Sequence, residues 1–222
     1  IAHDFNNILA GIIGYAELVL RDIDEECPPK TASNLRNILS AGERARGLIE
    51  KILTFSRQGE AERRPVNLAQ TLEEVLQLIR ASRPATIAIE RQVLRPATVL
   101  ADPIQMHQVL MNLCTNAGHA MRERGGTLSI SLDTVHLDAE FTAPYAELCI
   151  GDYACMRIGD TGKGIPAQLL DRIFDPFFTT KKKGEGTGLG LSMVHGIVTA
   201  MHGLLLVDST PGSGTVFTIY LP

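Results

Sequence analysis

Several absences narrow the class of this sequence before any motif is considered. No apolar run approaches the ~18 residues needed to cross a bilayer, so no membrane contact is expected of this stretch. The four cysteines (Cys27, Cys114, Cys149 and Cys155) stand far apart without a CxxC pair, which argues against a zinc site and against a disulfide framework. They read as reduced thiols in a cytoplasmic setting. An excess of basic residues is missing too: 21 Lys and Arg face 25 Asp and Glu, the net charge is −4, and nothing suggests nucleic-acid binding. Neither GxxxxGK[ST] nor GxGxxG occurs, so the P-loop and Rossmann readings both fail. No signal-peptide pattern, internal repeat or low-complexity tract is present. Ile1 is not a natural start, so the sequence is expected to be a fragment whose upstream part, membrane-anchored or not, is missing.

What is there is globular. At 222 residues, 45% hydrophobic and 21% charged, the chain can bury one ordinary core and a smaller one. Ile8, Leu9, Ile12, Ala16, Val19 and Leu20 form one helical stripe. Leu35, Ile38, Leu39, Ala45, Ile49 and Ile52 form a second, and Cys27-Pro28-Pro29-Lys30 between them must turn. The prediction is an antiparallel helical hairpin over residues 1–62. Two helices bury too little alone, so a homodimer closing a four-helix bundle is expected. A charged stretch, Arg57 to Arg64, ends at Pro65 and reads as a linker.

Residues 63–222 change to a mixed pattern, so the chain as a whole is α+β. Helices are expected at Leu68–Ala81, at Pro103–Met121 with Asp102 as cap and Pro103 at its first position, and at Gly188–Met201. Strands are expected at Thr86–Val93, Thr127–His136, Tyr153–Gly159, Leu204–Ser209 and Gly214–Leu221, with Leu137–Asp152 a loop. This order suggests an α/β sandwich with helices on one face.

Chemistry concentrates in two places. Asp160-Thr161-Gly162-Lys163-Gly164-Ile165-Pro166 follows a strand, and Gly184-Glu185-Gly186-Thr187-Gly188-Leu189-Gly190-Leu191 opens a helix. Glycines let backbone N–H groups approach an anion, and a helix N-terminus adds its positive end, so this part looks built for phosphates. Taken alone, the second run also fits a flexible loop. Asn112 and Asn116 lie four apart and share a helix face, where an amide oxygen can bind Mg²⁺ beside phosphates. A lone pair of this spacing equally describes capping or surface asparagines.

In order, Asn112–Ala120, Asp160–Ile165, Phe174-Asp175-Pro176-Phe177-Phe178 and Gly186–Leu191 resemble the N, G1, F and G2 boxes of the histidine kinase family. His3-Asp4-Phe5-Asn6-Asn7 resembles its phosphoacceptor box. The resemblance covers nearly the whole chain. It implies the Bergerat, histidine-kinase-like ATPase fold over residues 63–222, with ATP and Mg²⁺ as cofactors. It also implies that His3 is phosphorylated from ATP and that the group passes to an aspartate of a response-regulator receiver domain. Asp160 would accept from the adenine amino group, with Gly162, Gly164 and Ile165 beside the base. Asn116 would coordinate Mg²⁺ with Asn112 supporting the same face. Phe174 to Thr187 would form a lid given freedom by Gly186, Gly188 and Gly190 and followed by Leu189. Lys181 would be its cation near the γ-phosphate; Lys182 and Lys183 are either further cations or simply solvated. Asp4 would orient His3 and take its proton, and Asn7 would position water for a phosphatase reaction.

The remaining histidines His107, His136, His195 and His202 read as surface residues, His119 stands where relatives often carry an acid, and Phe177 and Phe178 read as lid packing. An ATP-hydrolysing machine on the same fold, as in the gyrase, heat-shock chaperone and mismatch-repair relatives, would need a glutamate where Asn112 stands, and asparagine cannot act as a base. A protein-serine kinase is disfavoured by the same box. The rival from another class is a nucleotide-binding module that dimerises and docks a regulator without becoming phosphorylated.

Overall fold

The computed structural model describes residues 2–21, 31, 33–39, 42, 62–82, 86–181 and 186–222, with side chains in the first helix from residue 10 to residue 20. The chain divides into two compact units, Ile1–Glu60 and Ala61–Pro222.

In the first unit, helix α1 (Ala2–Arg21) carries the first apolar stripe, and residues 33–39 are helical again. Ile13 and Ala16 are buried. A Cβ added to Gly42 would lie 2.7 Å from Cγ1 of Ile13, so the chain returns against α1 and approaches it where a side chain is missing. Ile12, Tyr15, Leu18 and Val19 stay exposed on α1. The Cys27–Lys30 turn, Ala45, Ile49 and Ile52 of the second stripe, and residues 57–61 of the linker lie outside the described residues.

The second unit is built on a five-stranded sheet in the order β2 (Ile87–Val93), β4 (Gly126–Leu137), β5 (Gly151–Asp160), β7 (Gly214–Leu221), β6 (Leu204–Thr210). Strand β2 runs parallel to β4 and the other neighbours are antiparallel. Helices α2 (Leu68–Ser82), α3 (Pro103–Ala120) and α6 (Gly190–Ala200) cover one face, with short helices α4 (Ala139–Thr142) and α5 (Ala167–Leu170) between strands. The helices bring Leu72, Leu76, Met106, Leu110, Leu113 and Val194 into one core with Leu128, Ile130, Leu132, Met156 and Ile219 of the sheet. Each fully buried side chain of this size contributes about 1.5–3 kcal/mol.

Local chemistry sets the helix starts. Asn67 Oδ1 accepts from Ala69 and Gln70 N–H at 3.0 and 3.2 Å. Asp102 Oδ1 does the same for Ile104 and Gln105 at 2.8 and 3.4 Å, with Pro103 at the first position as its sequence indicated.

Three expectations need correcting. The linker ends earlier than expected, because Arg64–Asn67 forms β1 and pairs antiparallel with β3 (Thr98–Ala101) in a second small sheet. Pro65 is tolerated there because a two-stranded ribbon leaves its missing N–H unneeded. The last helix starts at Gly190, since Gly188 holds φ +69°, outside helical geometry. Finally, Leu137–Asp152 is not all loop. Asp138 accepts from Phe141 N–H at 2.9 Å and starts α4, while β5 begins at Gly151. This segment gives the sheet a second apolar face: Leu137, Leu148, Tyr153, Cys155 and Tyr220 are buried together, with Phe141 edge-on to Tyr220 at 5.2 Å.

Candidate nucleotide site

At one end of the site stands Asp160, the last residue of β5. Its Oδ1 accepts from Gly162 N–H at 2.8 Å. Burial pushes its carboxyl above the usual carboxylate range, opposed by backbone hydrogen bonds from Gly162 and Thr215. The turn after it is held from two sides. Lys163 N–H donates to Ala120 O at 3.3 Å, and a Cβ on Gly162 would sit 2.7 Å from the Ala120 backbone. Gly164 has φ +67°, and a Cβ there would run into the Thr210 carbonyl. Ile165 N–H donates to Ser209 Oγ at 2.8 Å, and Ser209 Oγ lies 2.8 Å from Thr215 Oγ1. The result is a rigid frame around one carboxylate, formed where β5 and β6 end and β7 begins.

The other end lies between α3 and the start of α6. A Cβ on Gly190 would be 3.4 Å from Asn112 Oδ1 and 3.8 Å from Asn116 Nδ2, so both asparagines face the first turn of α6. No side chain among the described residues caps that helix start, although Thr187 Oγ1 accepts from Leu189 N–H at 3.5 Å and Leu189 is buried. An uncapped helix N-terminus beside two amide groups is suited to an anion. Lys181 Nζ donates to Asn116 Oδ1 at 3.1 Å, and a Cβ on Gly186 would lie 3.0 Å from Lys181 Cδ. The structure thus brings Asn112, Asn116, Lys181, Gly186, Gly190 and Thr187 to one end, and Asp160, Gly162, Gly164 and Ile165 to the other.

The segment between is fixed unevenly. Phe174 is half-buried against the core with its ring 5.2 Å from that of His195, and the Arg172 guanidinium sits 4.6 Å over Phe178. Phe177 corrects the packing expectation: it is 63% exposed and has φ +67°. Its backbone is where a Cβ on Gly188 would fall, so the two positive-φ residues pass each other closely and turn the Phe177 ring outward. Of the other histidines, His119, His136, His195 and His202 are exposed, whereas His107 is half-buried with Nδ1 3.7 Å from Glu74. Lys182 and Lys183 lie outside the described residues, as do the side chains of His3, Asp4 and Asn7, whose backbone is helical in α1.

Thr215 and Ser209 were not singled out in the sequence. The available signal was a hydroxyl at a buried position, since Thr215 is 4% exposed directly after Gly214 at the start of an apolar strand. Thr161 was another: its Oγ1 accepts from Thr127 N–H at 2.9 Å and ties the turn to β4.

Residues 101–222 match the family model described as histidine kinase-, DNA gyrase B- and HSP90-like ATPase, and residues 1–61 match that of the His Kinase A (phospho-acceptor) domain. The chain belongs to the sensor histidine kinase family. Among similar kinases, sensor kinase CckA of Brucella abortus is 39% identical over 225 residues, which span 100% of this chain and 23% of that protein. Sensory histidine kinase/phosphatase NtrB of Vibrio alginolyticus is 32% identical over 100% of this chain and 60% of its own length. The histidine kinase chain thus spans less than two thirds of either relative. The crystal structure of full-length ShkA in complex with AMPPNP superposes with a TM-score of 0.74 at 26% identity, covering 100% of this chain and 44% of that one. The nucleotide-free catalytic domain of histidine kinase ThkA gives 0.59 at 29% identity, over 72% of this chain and 95% of that one. Both neighbours share the ATP-binding α/β fold of the histidine kinases, and ShkA, which covers the whole chain, shares the helical N-terminal region as well. No helix among the described residues is long and apolar enough to cross a membrane.

Proposed function

We propose that this chain is the core of a kinase that phosphorylates His3 from ATP, with residues 1–62 carrying the phosphoacceptor hairpin and residues 63–222 the catalytic domain. The reading is carried by one observation: a half-buried carboxylate framed for a base at Asp160 shares a domain with a helix start that no described side chain caps and that faces two amides and a lysine. Asp160 accepts from the adenine amino group, and Gly162, Gly164 and Ile165 bound the base. The α6 N-terminus from Gly188 to Gly190 receives phosphate oxygens, and Lys181 adds the positive charge of the lid.

Mg²⁺ fits this donor set. Asn116 Oδ1 already accepts a cationic group, the Lys181 ammonium, at 3.1 Å, and Asn112 Oδ1 lies on the same face. Two neutral amide oxygens hold a hard cation weakly, so the ion belongs with the nucleotide's phosphates, as is usual for Mg²⁺. Bound there, it would neutralise phosphate charge.

The chain's own groups supply the rest. A neutral His3 imidazole nitrogen attacks Pγ in line; the N–P bond forms as the bond to the ADP oxygen breaks, and Asp4 takes the imidazole proton. The phosphoryl group then passes to an aspartate of a response-regulator receiver domain, and Asn7, one turn beyond His3, positions water for the reverse duty of a phosphatase. Exposed Ile12, Tyr15, Leu18 and Val19 on α1 support a homodimer, because a second copy would cover them in a four-helix bundle. Incubation with γ-labelled ATP and Mg²⁺ tests the reading. Label that is acid-labile, alkali-stable and absent from His3→Gln is expected. ATP binding without such label would make the chain a nucleotide-binding module instead.

A further inference from the structure

Two buried polar atoms have no hydrogen-bond partner among the described residues: Gln108 Oε1 and Asn112 Nδ2. One is an acceptor and the other a donor, and they lie one turn apart on α3, on the face that carries Asn116. Buried orphans destabilise a fold, and those that persist in native proteins are usually found where function uses them. The other end of the Gln108 amide makes no strong bond among the described residues either, since Nε2 reaches only Met193 Sδ on α6 at 3.8 Å there, and a thioether is a weak acceptor. Packing between α3 and α6 therefore does not require an amide at 108; an unbranched apolar chain of the same length would serve it better.

Asn112 shows what the amide is for. Its Oδ1 faces Gly190, at the start of α6, while Nδ2 is turned inward. We propose that Gln108 is a positioning residue for Asn112: its Oε1 accepts from Asn112 Nδ2 in the nucleotide complex and so keeps Asn112 Oδ1 turned toward the phosphate end. Gln108, Asn112 and Asn116 then act as a ladder of amides at successive turns of α3, of which only the last two face the ligand. The proposal rests on the assignment of Asn112 and Asn116 to the metal–nucleotide end given above.

The test is calorimetric titration of the whole chain with ADP, in Mg²⁺ and in EDTA, for wild type, Gln108→Met, Asn112→Ala and the double variant. Gln108→Met should melt no lower than wild type without ligand and bind ADP equally well in EDTA. Its Mg²⁺-dependent gain in affinity should fall about fivefold, the factor one hydrogen bond carries. Added to Asn112→Ala, it should cause no further fall. An unchanged Mg²⁺ gain in Gln108→Met would overturn the proposal, as would additive losses or a lowered melting point with affinity lost equally in EDTA. A wild type whose ADP affinity ignores Mg²⁺ would instead refute the assignment of Asn116, and Gln108 would lose its role with it.

Discussion

Replacing Asp160 by Asn separates binding from folding at the base end of the site. The side chain keeps its size, and its amide oxygen can still accept from Gly162 N–H, which lies 2.8 Å from Oδ1 in the native chain. The amide NH₂ then stands where the second carboxylate oxygen was, so a donor meets the donor of the adenine amino group. The loss is that of a hydrogen bond to a charged group, about 1.5–3 kcal/mol, or about 10- to 150-fold in Kd. Stability should move the other way. Burial is the largest cause of the raised Asp160 pKa, so the folded chain holds that proton more tightly than the unfolded one. Its contribution to stability is therefore complete at low pH and is lost as pH rises from 3.8 through the raised folded value. At pH 7 the ionised, half-buried carboxylate opposes folding, and the neutral variant should melt no lower than wild type. Calorimetric titration with ADP and with GDP reads the binding term, because guanine presents a carbonyl where adenine presents its amino group, so the preference for ADP should shrink. An unchanged ADP affinity in a folded variant would refute the reasoning.

Three further outcomes follow from the same geometry. Asn116→Ala should remove the Mg²⁺-dependent part of nucleotide affinity and spare the part measured in EDTA; equal losses in both would count against Asn116 as the metal residue. Gly164→Ala should lower the melting temperature, since a left-handed backbone alone costs about 1–2 kcal/mol for a residue with a Cβ and this one would strike the Thr210 carbonyl. A variant as stable as wild type would mean that the turn can relax. Burial lifts the Cys114 thiol to about 12, so the folded chain stays protonated there while the unfolded chain ionises near 9.0. Stability should thus decline as pH rises from 9 toward 12, and at pH 9 iodoacetamide should label exposed Cys149 but not Cys114. Prompt labelling of Cys114 in folded protein would contradict its burial.

Much of this was legible along the chain because its causes are local. Asp102 and Pro103 announce the start of α3 through bonds that span only a few residues. Asn112 and Asn116 share a face by helical periodicity alone, and the glycines near 160 and 190 mark close approaches that side chains forbid. What escaped depends on distant pairing. Thr215 matters because strand register sets it opposite Asp160, 55 residues earlier, and nothing near Thr215 announces that partner. The pairing of Arg64–Asn67 with Thr98–Ala101 rests on four-residue strands too short to show alternation. Residues Tyr153, Ala154, Cys155 and Met156 are all buried, so the run has no polar side to betray that two different cores flank it. Phe177 looked like packing because it is aromatic, but its left-handed backbone decides where the ring points.

That double flanking has a consequence for timing. Around Tyr153–Met156 and Tyr220–Leu221, strands β5 and β7 are covered on both faces, and Asp160 and Thr215 pair at the other end of the same two strands. Exchanging their amide hydrogens requires nearly global unfolding, so these strands should be the slowest in the chain to take up deuterium. The wall that receives the base is thus anchored to the least yielding element of the domain, and its shape is set before any nucleotide arrives. The stretch from Phe174 to Lys181 is held by a ring contact, a cation over a ring and a lysine on an amide, and can rearrange without disturbing that wall. Occupancy by nucleotide should therefore register as slowed exchange on the phosphate side while the base side stays as protected as it was.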